Sequence, residues 1–188
     1  LVVFNDVISP HSHTIPSLEK VLTFGNQERP EAKFDGSIIQ LMKAAGYKTF
    51  WVSNQVPVGV NETMVSMIAK PSDYTHFTNL GGAKELRSLD ERIFPYFKKV
   101  VRDTASKKFI IVHLLGTHTN YKNRYPKKYN FYSDIPQSKF PSETSFTTIN
   151  EYDNSIRYND YIISELIELV KGETSKSEKA SLIYNPSS

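Results

Sequence analysis

Apolar residues fall along this chain in two rhythms. Four short runs, residues 1–4, 47–53, 109–112 and 180–184, have the length and β-rich composition of strands. The third, Phe109, Ile110, Ile111 and Val112, has no polar interruption, as expected of a strand buried on both faces of a parallel sheet. Between these runs the apolar spacing becomes helical. Ile38, Ile39, Leu41, Met42 and Ala45 share one face of a helix that Asp35 can cap and Gly46 ends. Tyr152, Ile156, Ile163, Leu166 and Val170 mark a helix over 151–171. A short helix over 60–69 and a short strand over 74–78 are weaker signals. Ser88 with Glu91 forms a capping-box pattern for a helix running toward Ala105, which Pro95 should kink or start late. Strands alternating with helices predict one α/β domain over 1–188, a doubly wound and mostly parallel sheet with helices on both faces.

In such a sheet the ligand crevice lies outside the carboxyl ends of the strands, and the polar residues gather there. The central run empties into His113, Gly116, Thr117 and His118, followed by Tyr121, Arg124 and Tyr125 before Pro126. His113 adjoins the strand and either packs into the core or faces the site, whereas His118, past a glycine turn, is better placed to meet a ligand. The run over 47–53 empties into Asn54 and Gln55, whose amides suit phosphate oxygens or a headgroup but equally satisfy a local turn. The first run is followed by a histidine-bearing loop over 5–13 and then Thr14, where Pro16 and Glu19 mark a helix start. Thr14 is there either an N-cap or a hydroxyl held at a phosphate-binding helix terminus. His76 reads as structural or surface. Asp153, Asn154, Arg157, Asn159 and Asp160 read as a solvated helix face. Residues 119–149, rich in Tyr, Pro, Ser and Lys, form too long a connection for an ordinary loop and suit a binding loop or lid.

Composition narrows the class. A chain of 188 residues, 39% hydrophobic and 12% aromatic, can bury one full core. The net charge of +3 is mild and the lysines are scattered, which argues against nucleic acid and is compatible with anionic lipid headgroups. Cysteine is absent, so neither a disulfide framework nor a thiolate site is available. No run approaches the length of a membrane span. The chain begins and ends on strand-like runs without an initiator methionine, so the expectation is a piece of a larger protein whose membrane segments lie elsewhere.

The motif HLLGTH (113–118) followed by NRYP (123–126) resembles the catalytic domain of bacterial phosphoethanolamine transferases, in the sulfatase-like, alkaline phosphatase superfamily. SPHSHTIPSLEKVLTF (9–24), WVSNQ (51–55) and EYDNSIRYNDY (151–161) are similar to that family in the same order, closest to the branch acting on the lipopolysaccharide heptose core. The resemblance implies transfer of phosphoethanolamine from phosphatidylethanolamine to a lipopolysaccharide acceptor. It also implies an inner-membrane protein with its catalytic domain in the periplasm, anchored by helices outside this chain. Thr14 would be the zinc-activated nucleophile and a zinc ligand, Asn54 and Gln55 would contact the donor headgroup, and His118, with His113, would serve substrate phosphate or a second metal. The DN and ND pairs after residue 152 have counterparts near the family's site. Some lipid A relatives place a lysine where this chain has Val58 and Gly59, so headgroup handling is expected to differ. The family's other zinc ligands, a glutamate upstream and an Asp-His pair after the last strand, are not matched here, so the isolated chain is expected to bind zinc weakly and be inactive. Alternatives are a hydrolase of the same superfamily, although the sulfatase C/S-x-P-x-R motif is absent, and a non-catalytic binding module on this fold.

Overall fold

Strand β1 (Lys48–Ser53) is the axis of the molecule, and its six residues are buried after the first. The computed structural model describes residues 9–11, 13–57, 64–81, 87–134, 143–173 and 179–184. β2 (Tyr74–Phe77) and β3 (Lys108–His113) flank β1 in the order β2-β1-β3, and both pairs run parallel. Ser53 lies opposite Phe77 on one side and His113 on the other, so the three carboxyl ends emerge along one edge.

Alternation along the strands feeds two cores. Phe50, Val52, Ile110 and Val112 face helices α4 (Phe94–Val101) and α5 (Glu143–Glu173), meeting Phe97, Val100, Tyr158, Ile162 and Leu166. Trp51, Phe109 and Ile111 face the opposite way, toward Leu18 of α1 (Thr14–Leu22), Ile39 of α2 (Ile38–Ala44) and Ile68 of α3 (Met64–Ala69). Helices on both faces of a parallel sheet are the architecture that the patterning predicts. Trp51 and Val52 are fully buried, and sinking such side chains is worth about 1.5–3 kcal/mol each.

Several local expectations need correction. Ser37, not Asp35, caps α2: its hydroxyl accepts from the Gln40 N–H while the Gln40 side chain accepts from the Ser37 N–H, a reciprocal box that outcompetes the more distant carboxylate. Gly46 ends the helix with a left-handed φ of 81°, as expected. The Ser88–Glu91 box does not form. A 3-10 turn over Asp90–Ile93 precedes α4, whose first turn holds Pro95 where a missing N–H costs nothing. α5 is 31 residues long and starts at Glu143, so the long connection ends earlier than expected. Residues 121–123 and 127–129 of that connection are 3-10 turns. Residues 179–184 are exposed and form no strand, because no described strand pairs with them. The expected strand over 1–4, most of the loop over 5–13 and residues 60–63 of the expected helix lie outside the described residues. His76 is half-buried and stacks on Tyr96 with ring centroids 3.6 Å apart, a structural role as expected.

Candidate active site at the carboxyl edge of the sheet

Where β1 and β3 end, a buried hydrogen-bond cluster locks their loops together. Asn54 is fully buried and uses its whole amide. Its Nδ2 donates to Asp90 Oδ1 at 2.8 Å and to the Ser88 carbonyl at 3.3 Å, while its Oδ1 accepts from Ser88 Oγ at 2.6 Å and Thr78 Oγ1 at 2.7 Å. No polar atom is left for a ligand, so the expectation that Asn54 contacts substrate is corrected: it positions the edge.

Asp90 is the second hub, and patterning did not single it out. Its carboxylate accepts from the backbone N–H of Leu115 at 2.9 Å and of Gly116 at 2.8 Å, besides Asn54. The HLLGTH turn is thereby hung from a side chain 25 residues upstream of Leu115. Burial pushes the Asp90 carboxyl above the usual carboxylate range, against the pull of the three N–H donors and the Arg124 charge. Gly116 takes a left-handed φ of 57°, which turns the chain so that His118 follows on the surface.

His113 and His118 differ in setting. His113 is hemmed in, edge-on to Trp51 at 5.8 Å, with Nδ1 3.2 Å from Ser53 Oγ. Burial lowers its pKa to about 4, so near neutral pH it is an uncharged imidazole of the sheet edge. His118 is exposed, with Nδ1 3.3 Å from Thr119 Oγ1. Arg124 fastens its turn, donating through Nε to the His118 carbonyl and through Nη2 to the Thr119 carbonyl, both at 3.2 Å.

Gln55 lies beside this turn, its Nε2 donating to the Leu114 carbonyl at 3.1 Å and its backbone N–H to Ser53 Oγ at 3.0 Å. The Asn54 N–H reaches the His113 carbonyl at 2.9 Å. The structure thus brings Asn54, Gln55, His113 and the His118 turn together. Thr14 is the first residue of α1, and His13 takes the N-cap place without a side-chain cap bond, so Thr14 is not the cap. The loop before it folds back on the helix through Ser9 Oγ to Ser17 Oγ at 3.1 Å and Lys20 Nζ to the Pro10 carbonyl at 3.3 Å. α1 is fixed to the Trp51 face of the sheet by Leu18.

The polar cluster on α5 is not simply a solvated face. Asn154 is fully buried: its Oδ1 accepts from the N–H groups of Phe131 and Tyr132, both at 2.8 Å, and its Nδ2 donates to the Tyr132 carbonyl at 2.9 Å. Arg157 and Asp160 are exposed as expected, and Arg157 lies over the Phe131 ring at 4.2 Å. Among the described residues no three His, Cys, Asp or Glu side chains come together.

A parallel sheet between two helical layers, with polar residues at its carboxyl edge, makes this a doubly wound α/β domain. The sulfatase family model matches residues 1–184, and the chain belongs to that family. It is 37% identical over 179 residues to phosphoethanolamine transferase EptC of Escherichia coli K12, covering 89% of this chain and 30% of that protein. Phosphoethanolamine transferase CptA of Salmonella typhimurium LT2 is 38% identical over 158 residues, covering 82% of this chain and 27% of CptA. The chain therefore spans less than a third of the length of these relatives. The crystal structure of the C-terminal periplasmic domain of EcEptC in complex with Zn superposes with a TM-score of 0.82 at 34% identity, over 90% of this chain and 48% of that one.

Proposed function

We propose that the full-length protein transfers phosphoethanolamine from phosphatidylethanolamine to a lipopolysaccharide acceptor, with Thr14 as nucleophile. The observation that carries this reading is the 37% identity to a protein named phosphoethanolamine transferase, across 89% of the chain. In the proposed reaction Thr14 Oγ gives up its proton and attacks the donor phosphorus, and the bond from phosphorus to the diacylglycerol oxygen breaks, that oxygen taking up a proton. An acceptor hydroxyl then gives up its proton and attacks the same phosphorus, the bond from phosphorus to Thr14 Oγ breaks, and the Thr14 hydroxyl is restored by a proton. The phosphate is favoured at the N-terminal end of α1, where N–H groups and the helix dipole face an anion. On this reading Thr14 sits at the same edge as Gln55 and His118, with His118 toward the phosphate oxygens and Asp90 and Asn54 holding the frame.

Zinc is present in the crystal structure of the E. coli relative. We extend it to the full-length protein, where Thr14 would be one ligand and the others would lie outside this chain, and where the metal would lower the hydroxyl pKa and offset phosphate charge. The isolated chain is expected to bind zinc weakly and to transfer nothing. Tight, stoichiometric zinc in calorimetry of the purified chain would contradict that.

No helix among the described residues is long and apolar enough to cross a membrane. Placement at the periplasmic face of the inner membrane is supported by the relative's periplasmic domain. The test is to incubate the full-length protein with phosphatidylethanolamine and lipopolysaccharide. Phosphoethanolamine is expected on the lipopolysaccharide by mass spectrometry, whereas release of free phosphoethanolamine alone would favour a hydrolase, a reading that the named relatives do not support.

A further inference from the structure

His118 is exposed, so the backbone on either side of it, rather than a packed wall, sets where its imidazole points. Both sides are pinned. On the amino side the His118 N–H donates to the Leu115 carbonyl at 3.3 Å, and the N–H groups of Leu115 and Gly116 donate to Asp90. On the carboxyl side Arg124 Nε donates to the His118 carbonyl and Arg124 Nη2 to the Thr119 carbonyl, both at 3.2 Å. Fixing the peptide planes before and after a residue fixes its φ and ψ, and with them the direction of its Cα–Cβ bond.

The local sequence brings Arg124 within reach of those carbonyls. Asn120 takes a left-handed φ of 65°, which turns the chain back on itself, and the 3-10 turn over Tyr121–Asn123 closes with the Arg124 N–H on the Tyr121 carbonyl at 2.8 Å. That turn is anchored from outside. The Tyr121 ring meets the Tyr152 ring of α5 edge-on at 5.1 Å, and Asn123 Oδ1 accepts from Arg87 Nε at 3.2 Å. The guanidinium is half-buried with the Asp90 charge acting on it. Carboxylate and guanidinium therefore grip the HLLGTH turn from opposite ends, the first by its amides and the second by its carbonyls. Two carbonyls one residue apart match the planar fork of a guanidinium, whereas a lysine would bring the charge on a single nitrogen.

We propose that Arg124 is a positioning residue for His118, its two bonds to the carbonyls of residues 118 and 119 setting the direction in which the imidazole leaves the sheet edge. The consequence for catalysis rests on the transferase reading above, in which His118 meets the phosphate; the ordering of the turn does not.

The test uses the full-length protein with two readouts. In transfer assays Arg124→Gln is expected to lower kcat by about tenfold to a hundredfold with the donor KM kept within about twofold, because a misplaced group costs rate more than ground-state binding. Arg124→Lys, which keeps the charge and loses the fork, should recover only part of that rate. In a His118→Ala background Arg124→Gln should cost no more than about twofold further, since a residue that acts through His118 has nothing left to position. An equal loss in both backgrounds would overturn the proposal, as a merely structural role predicts. Hydrogen exchange supplies the second readout and does not depend on turnover. In Arg124→Lys the amides of His118 and Asn123 should exchange faster than in wild type, with β1 amides unchanged. Unchanged exchange at His118 would show that Arg124 does not order the turn and would likewise overturn the proposal. Full transfer by His118→Ala would instead remove His118 from the site reading and the catalytic part of the proposal with it, while the exchange result still decides whether Arg124 orders the turn.

Discussion

Asp90 holds three N–H donors on two oxygens, and that arithmetic makes it the most demanding position at the sheet edge. Asp90→Asn keeps the shape but puts an NH2 group where an acceptor is needed, so one donor must face another. A buried group left unsatisfied costs about 1–3 kcal/mol, and a stability loss of that size is expected in chemical denaturation of the intact protein. Transfer should fall as well, because the turn carrying His118 loses its tether. Stability within about 0.5 kcal/mol of wild type, with full kcat, would mean that the carboxylate does not hold the turn. His113 gives a pH signature. Its folded pKa, lowered to about 4, lies below that of an exposed histidine near 6.5, so the unfolded state binds more protons between those values. Stability is then fully present above about pH 6.5 and declines as pH falls toward 4, by about 1–2 kcal/mol between pH 7 and 5. His113→Phe, which cannot titrate, should flatten that slope. An unchanged slope would mean that His113 is not the group being protonated.

At the scale of elements, α5 does more than cover the sheet. Its buried Asn154 holds the N–H groups of Phe131 and Tyr132, which belong to no strand or helix, and the Phe131 N–H is shared with the Tyr129 carbonyl. Asn154→Ala removes two acceptor contacts and is expected to speed hydrogen exchange at the Phe131 and Tyr132 amides selectively, with β1 amides left protected. Protection at Phe131 and Tyr132 equal to wild type would show that other contacts hold the segment. This role was hidden in the sequence, because a polar run such as Asp153, Asn154, Arg157 looks solvated whichever way a single amide points. The strands were legible as unbroken apolar runs, but the α5 face was read in the wrong register: of Tyr152, Ile156, Ile163, Leu166 and Val170, Tyr152 and Ile156 are exposed, and Tyr158 and Ile162 with Leu166 meet the core instead. The Ser88–Glu91 pattern misled for a related reason. Its chemistry fits a cap, but Ser88 Oγ donates to Asn54 and accepts from Arg92 Nη1, a tertiary demand that local spacing does not record.

For the whole molecule, the two helical layers and three parallel strands follow from patterning, and the place of the HLLGTH turn at the carboxyl edge was legible because it follows an unbroken apolar run. The frame behind that turn was not, since Asp90 reaches it across 25 residues. Phosphoryl transfer through Thr14 is the activity proposed for this edge. The most direct measurement is mass spectrometry of the full-length enzyme quenched after phosphatidylethanolamine is added without acceptor. Peptide mapping should find phosphoethanolamine on Thr14, absent from Thr14→Ala, restored in part by Thr14→Ser and discharged when lipopolysaccharide is supplied. Transfer by Thr14→Ala at the wild-type rate, or the adduct on another residue, would contradict the account.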